Sequence, residues 1–418
     1  MKQTNKAQIF HYDLYGKRED KYDFLNNNSI NSINWNNLEP EEPNYFFVPK
    51  DFGEQESYEM GFKVDEMFVE NVAGIETIRD SITIHFKDED LKIVVTDFIS
   101  MGEKEIGLKY KTSDARDWKI NRAKEDIKQN FNNPKVYREI NYRPFDIRKT
   151  FYSGKQNGFV CNGRYNVMKH LLNNNIGLIA KRGFDEDHSA PCFVTKYISD
   201  RRGWTRPGMQ GAESIFPLYL YPDNIGESNN TSNRTPNLNM EIVNKIAEGL
   251  GLKFTPEIVG TGRDLSEKEN QNLSAKENEP VGTNRDLSEK NNIENQRTGH
   301  DLSLRDENDS DEFQRTGHGL SLREIKNTFA PLDILDYIYA VLHSPTYREK
   351  YKEFLKIDFP RVPYPHNVGT NRDLSAIQNK FWQLVKLGGE LRQIHLLESA
   401  VVENYITQYP IDGNNEVV

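Results

Sequence analysis

The chain has 418 residues, 36% of them hydrophobic, a formal net charge of −10 and a mean hydropathy of −0.78, enough for two or three cores with part of the chain left outside any of them. It has no run of about 18 apolar residues and no apolar h-region behind its N-terminal MKQTNKAQIF, which argues against a membrane span and a secretory signal. Two distant cysteines, Cys161 and Cys192, with no CxxC argue against a disulfide framework or a metal site, so a cytoplasmic location is expected.

In chain order, IFHYDLYGKREDKYDFL (9–25) predicts an aromatic strand running into a charged helix. An Asn-rich loop follows, then a second short strand in NYFFVPKDF (44–52). Neither strand has an evident partner within the first fifty residues. GFKVDEMFV (61–69), GIETIRDSITIHF (74–86) and LKIVVTDFI (91–99) are rich in Ile, Val and Thr and predict three strands. DARDWKINRAKEDIKQ (114–129) sets Trp118 and Ile127 among charges and predicts an exposed helix.

The stretch from Tyr142 to Gln210 carries 12 Lys/Arg against 5 Asp/Glu, a basic island in an acidic chain. Arginines and aromatics interleave there on short strands and turns, a pattern that points to a polyanionic partner. A hairpin is expected from Ile147–Tyr152 and Gly158–Cys161 around SGKQN, then a short helix at Tyr165–Leu172. NIGLIAKR (175–182) and PCFVTKYISD (191–200) predict strands flanking the turn GFDEDHS, and ESIFPLYLY (213–221) closes the block.

After a Ser/Asn-rich linker, Ile242, Val243, Ile246, Ala247 and Leu250 have helical spacing, stopped by Gly251. One short repeat then occurs five times, as VGTGRDLS (259–266), VGTNRDLS (281–288), RTGHDLS (297–303), RTGHGLS (315–321) and VGTNRDLS (368–375). Its period is irregular and it carries no shared apolar face, so a solenoid is excluded and disordered low-complexity sequence is expected. Helices resume in APLDILDYIYAVLHS and SPTYREKYKEFLK, with Ser344 as N-cap. The last helix, IQNKFWQLVKLGGELRQIH, is expected to break or end at Gly388-Gly389.

Catalytic motifs are absent from the sequence. It contains no GxxxxGK[ST] for nucleotide phosphates, no Gly-rich loop behind a strand for S-adenosylmethionine, and no HxxxH. Nor does it contain the [DNS]-Pro-Pro-[YFW] tetrapeptide that holds an extruded base in amino-methyltransferases; the nearest string is Asn133-Pro134-Lys135. Asp185-Glu186-Asp187-His188 reads as a surface turn rather than a metal site.

YRPFDIRKTFY, NGRYNVMKHLL, NNIGLIAKRG, SIFPLYLY and FAPLDILDYIYAVLHSPTYREKYKEFLKIDFPRVPYP together resemble the C-terminal part of type ISP restriction–modification enzymes and related N6-adenine DNA methyltransferases. The N-terminal YDLYGKREDKYDFL and the KFWQLVKLGGELRQIHLLES ending are similar too. Short strands alternating with few helices suggest an α+β fold, and the resemblance, interrupted by the repeats, divides the chain into six parts. These are the end of a methyltransferase domain (1–60), a strand-rich target recognition domain (61–221), and a linker and helix (222–257). A repeat insertion (258–327), a small helical subdomain (328–400, interrupted by the repeat at 367–376) and a tail (401–418) complete it.

The same resemblance implies double-stranded DNA as partner, with a separate methyltransferase or helicase–nuclease chain as a further one. S-adenosylmethionine, ATP and Mg²⁺ would serve the full-length enzyme and not this chain. A specificity surface needs side chains that neutralise phosphates and reach base edges. The candidates are Arg143, Arg148, Lys149, Lys155, Arg164, Lys181, Arg182, Arg201, Arg202 and Arg206. Arg143 has a structural alternative, an ion pair with Asp146 that holds the turn. Two alternatives to a specificity chain stay open: a subunit of a split adenine methyltransferase, and a non-functional fragment.

Overall fold

The computed structural model describes residues 7–42, 44–115, 117–183, 192–203, 213–222, 234–256, 327–367 and 373–404. Strand β1 (Ile9–His11) pairs antiparallel with β2 (Asn36–Leu38), Ile9 opposite Leu38, across helix α1 (Arg18–Asn27). The first strand therefore does find its partner within fifty residues, contrary to expectation. Tyr12, stacked on Phe24 at 5.7 Å and edge-on to Trp35 at 6.3 Å, ties this unit together. Residues 44–52 form no strand; Phe46 leans on Phe52, which in turn meets Phe354 at 5.6 Å.

The three strands expected between 61 and 99 are mostly not strands. Helix α2 (Gln55–Glu59) leads into two-residue β3 (Phe62–Lys63), then α3 (Val64–Met67), two-residue β4 (Val72–Ala73) and α4 (Asp80–Thr83). LKIVVTDFI lies inside α5 (Asp88–Ser100). The spacing of Leu91, Val94, Val95 and Phe98 puts all four on one buried helical face, and Asp88, Glu89 and Asp90 favour the N-terminal end of the dipole. Burial along that face outweighs the strand preference of Ile and Val. Helices α6 (Glu103–Lys109) and α7 (Ile120–Asn130) complete a layer around fully buried Trp118, whose indole N–H donates to the Phe159 carbonyl at 2.9 Å. Helix α7 is thus half-buried rather than exposed, through Ile120, Ala123 and Ile127.

The basic stretch folds as a hairpin of a different register from the one expected. Strand β5 (Tyr137–Arg143) pairs with β6 (Asp146–Phe151) through the turn Pro144-Phe145. Residues 158–161 pack into a core instead of pairing with β6. Helix α8 (Tyr165–Met168), continued by a 3-10 turn to Leu172, agrees with the sequence reading. So do β7 (Gly177–Lys181), β8 (Cys192–Thr195), β9 (Ile198–Ser199), β10 (Glu213–Pro217) and β11 (Tyr219–Leu220). Two sheets result, ordered β4-β10-β7-β8 and β6-β5-β9. Side chains alternate across the first of them. Leu178, Ala180 and Phe216 face a core shared with the C-terminal helices, whereas Ile179 and Ile215 face Ile140 and Ile198 of the second sheet.

The remaining chain packs on the first of these cores. Strand β12 (Thr235–Pro236) pairs with β11. Helix α9 (Met240–Leu250) starts at Asn239, whose side chain accepts from the Glu241 N–H at 3.0 Å, and stops at Gly251 with φ +61. Strand β13 (Lys253–Phe254) pairs parallel with β14 (Thr328–Phe329). The four repeats between them lie outside the described residues. Helix α10 (Pro331–His343) is followed by α11 (Pro345–Lys350), capped by Ser344, then α12 (Lys352–Leu355), and β15 (Arg361–Val362), which pairs with β3.

Helix α13 (Leu374–His395) runs unbroken through Gly388-Gly389. A Cβ at Gly388 would lie 1.8 Å from the Asp336 carbonyl oxygen, so the glycine serves close approach to α10 and not a break. The buried Arg392 pairs with Asp336 at 2.6 Å across the same contact. The helix begins inside the fifth repeat, whose Asp373 caps it by accepting from the Ser375 N–H at 3.0 Å. The architecture is α+β, as the sequence predicts.

Candidate functional site

The β5–β6 turn and the end of β9 bring four of the predicted arginines together. Strand β9 lies parallel to β5, with Asn141 opposite Ser199, which sets Asp200, Arg201 and Arg202 beside Tyr142 and Arg143. Residues 74–76 run along the other side: the Ile75 N–H donates to the Ser199 carbonyl at 2.7 Å and the Arg201 N–H to the Ile75 carbonyl at 2.9 Å. Only a glycine fits at 74, because a Cβ there would meet the Asp200 carbonyl oxygen at 2.3 Å.

Within this frame Asp200 is the junction. Its Oδ1 accepts from Arg143 Nη1 at 3.2 Å and from the Arg202 backbone N–H at 3.0 Å. Burial pushes the Asp200 carboxyl up to about 6, against the opposing pull of the Arg202 amide and Arg143. Tyr142 is the second junction. Its hydroxyl donates to Asp80 at 2.9 Å, and the guanidinium carbons of Arg143 and Arg148 lie 3.8 Å and 4.5 Å from its ring centre. Burial and the Asp80 carboxylate both raise the Tyr142 hydroxyl pKa. Arg148 also covers Phe86 at 3.9 Å, and its Nε and Nη2 grip Asp146 at 2.9 Å and 2.8 Å. Arg201 pairs with Glu76 at 3.1 Å.

Arg143 therefore pairs with Asp200, not with Asp146, which correction follows from the left-handed Phe145 (φ 64) turning Asp146 back towards Arg148. Arg143, Arg148 and Arg201 each meet a carboxylate through the guanidinium, whereas Arg202 meets Asp200 through its backbone N–H. The cluster is a preorganised set of guanidinium forks over an aromatic ring, not a bare positive surface.

The other candidates lie elsewhere. Lys149 pairs with Glu139 at 2.8 Å on the hairpin. Lys155 reaches Gln129 at 3.2 Å and Glu125 at 3.8 Å on α7. Arg164, itself left-handed at φ 52, reaches the Asn162 side-chain oxygen at 3.1 Å in the orientation that lets that amide accept. Lys181 is only 5% exposed, opposite Glu213 in the sheet, and is removed from contact with an outside partner. Arg182 pairs with Asp358 at 3.0 Å, next to the C-terminal helices. Arg206 lies outside the described residues.

Sequence reasoning missed Tyr142, Asp80, Phe86 and Asp200 as the groups that hold the arginines. Asp200 carried a signal, a lone carboxylate directly before two arginines. Asp80 and Phe86 carried none, since their role arises only when the 74–86 segment packs beside the hairpin. Among the described residues no cluster of three His, Cys, Asp or Glu side chains is placed to hold a metal ion, and no helix is long and apolar enough to cross a membrane.

The profile of the Type ISP C-terminal specificity domain matches residues 66–260 and 265–418. Among solved structures, the chain is similar in fold to DrdV in its cryo-EM complex with DNA, with a TM-score of 0.53 and 14% identity over 93% of this chain and 31% of that one. It is likewise similar to the ATP-dependent Type ISP restriction-modification enzyme LlaBIII bound to DNA, with a TM-score of 0.50 and 15% identity over 87% of this chain and 18% of that one. The chain thus spans less than a third of either solved chain. No curated protein matches it.

Proposed function

The chain belongs to the Type ISP C-terminal specificity domain family, and from that premise we propose that it recognises a specific sequence in duplex DNA for a restriction–modification enzyme. The observation that carries this reading is the family match over two long stretches that together hold the whole arginine cluster. The description of DrdV and LlaBIII as DNA-bound supports it further. The cluster suits the task chemically. Guanidinium forks fixed by carboxylates and a tyrosine ring can bond phosphate oxygens, or guanine O6 and N7, without first losing side-chain freedom.

The chain's residues do not fit the groups that methylation and ATP-driven steps require. It lacks the phosphate loop, the Gly-rich loop and the base-holding tetrapeptide, and no three-ligand acidic or histidine cluster occurs among the described residues. S-adenosylmethionine, ATP and Mg²⁺ belong, in this reading, to other parts of the enzyme, which acts in the cytoplasm. The purified chain with S-adenosylmethionine and DNA should transfer no methyl group.

The testing experiment is duplex binding as a function of salt. Binding should weaken as salt rises, and Arg201→Ala/Arg202→Ala should cost about 1–3 kcal/mol if both make close contacts. Because most of the candidate cations already face carboxylates, the slope of log K against log[salt] should fall well short of the roughly −9 that ten neutralised phosphates would give. Affinity that ignores both salt and the double substitution would remove this cluster from the interface.

A further inference from the structure

Beside the arginine cluster lies a cavity of about 220 Å³ between the two sheets and the end of α13. Phe145, Phe193, His395 and Ile147 give it apolar walls, and Asn141 and Asp200 contribute polar groups. The ring centres of Phe145, Phe193 and His395 stand 5.7–6.1 Å apart. Phe145 is 52% exposed, so the cavity opens to solvent at the tip of the hairpin that also carries Arg143. His395 is fixed from behind by the Tyr339 hydroxyl, 2.5 Å from its Nδ1, and burial lowers its pKa from the ordinary histidine value.

Three properties narrow the occupant. The volume is below the roughly 300–1,000 Å³ of sites for drug-sized ligands, which suits one flat ring system and not a whole cofactor. Ring walls with a few buried polar groups match what an unstacked base needs, namely stacking and hydrogen bonds along one edge. Asp200 is shared by both features: it lines the cavity and accepts from Arg143, so a guanidinium lies beside the cavity wall. The base-holding tetrapeptide of amino-methyltransferases is absent from the chain, so this is a different kind of site from theirs.

We propose that this cavity receives a single unpaired nucleobase of the bound DNA, stacked against the ring cluster of Phe145, Phe193 and His395, with its phosphate on the Arg143 side. The proposal rests on the DNA-recognition reading above and adds to it a pocket for one base out of the stack.

The test compares the full chain on three duplexes: fully paired, with one bulged thymidine, and with an abasic bulge at the same place. The bulged base should bind roughly tenfold tighter than the abasic bulge, a size set by base–aromatic stacking. Phe193→Leu, which keeps an apolar side chain but removes the ring, should bring that ratio to about one in a protein whose melting profile shows it folded. Phe145→Ala, at an exposed position, should lower the ratio independently. Equal binding of the bulged and abasic duplexes by the wild type overturns the pocket while leaving DNA recognition standing. Binding to none of the three overturns both. Thermal stabilisation by free thymidine 5′-monophosphate, without preference for the bulged duplex, would assign the cavity to small nucleotides and overturn the proposal.

Discussion

Asp200 ties backbone, charge and site together at the scale of a single residue. It is buried, accepts from Arg143 and from the Arg202 N–H, and its carbonyl is approached by Gly74. With its carboxyl raised to about 6 from an ordinary 3.8, the folded protein binds this proton more tightly than the unfolded chain does. The stability linked to it is full below about pH 4 and is lost as pH rises through about 6. Asp200→Asn removes the titration. The wild type's unfolding free energy relative to the variant's should fall by about 2 kcal/mol between pH 4 and pH 7, since each pKa unit is worth about 1.4 kcal/mol and the unfolded carboxyl is already partly ionised at pH 4. Urea melts of both proteins across that range give the difference directly, and a flat difference would contradict the burial of this carboxyl.

At the level of elements, composition misleads in two places. LKIVVTDFI has the composition of a strand and the spacing of a helix, and Leu91, Val94, Val95 and Phe98 follow the spacing. Gly388-Gly389 has the composition of a break and sits inside a 22-residue helix. In the first the local spacing decides over composition; in the second a contact distant in sequence, Gly388 against Asp336, decides. The glycine pair also gives a sharp prediction. Gly388→Ala should cost more than about 3 kcal/mol, because the new methyl would strike the Asp336 backbone oxygen. At Gly389 the nearest atom is the Asp336 carboxylate Oδ2 at 3.0 Å, the end of a side chain. The gain in helix propensity, about 1 kcal/mol, offsets much of the cost there, so Gly389→Ala should stay within about 1 kcal/mol of wild type. Arg392→Met should cost about 3–5 kcal/mol by leaving the Asp336 carboxylate buried without its partner. Thermal melts of the three variants check these values, and equal losses at 388 and 389 would argue against the close helix crossing.

Over the whole molecule, sequence patterns made legible the α+β class, the helix ended by Gly251, the helix capped by Ser344, and the family. The site was legible only in part. Arg143, Arg148, Arg201 and Arg202 stood out as charges on turns, but which of them converge depends on β9 lying parallel to β5, a pairing of residues nearly sixty positions apart. Lys181 shows the limit from the other side, since nothing in GLIAKR reveals that its lysine faces Glu213 inside a sheet. The repeats belong to this scale too. The Lys253 N–H donates to the Asn327 carbonyl and the Thr255 N–H to the Phe329 carbonyl, both at 2.9 Å, so the two segments flanking the repeats lie side by side. Replacing 258–326 by a Gly/Ser linker of about eight residues, which reaches roughly 15 Å, should preserve cooperative unfolding. Three halvings of loop length should add about 2 kcal/mol of stability. Loss of the cooperative transition in this variant would show that the repeats hold the flanks together.

Specific DNA recognition is tested most directly by selection. The purified chain, mixed with a library of random-sequence duplexes at physiological salt, should enrich a single short motif over successive rounds. Arg143→Ala/Arg148→Ala in the hairpin cluster should abolish or relax that motif while the protein remains folded. Recovery of duplexes with no common sequence, or the same motif from the wild type and the double variant, would contradict a specificity surface built on these arginines.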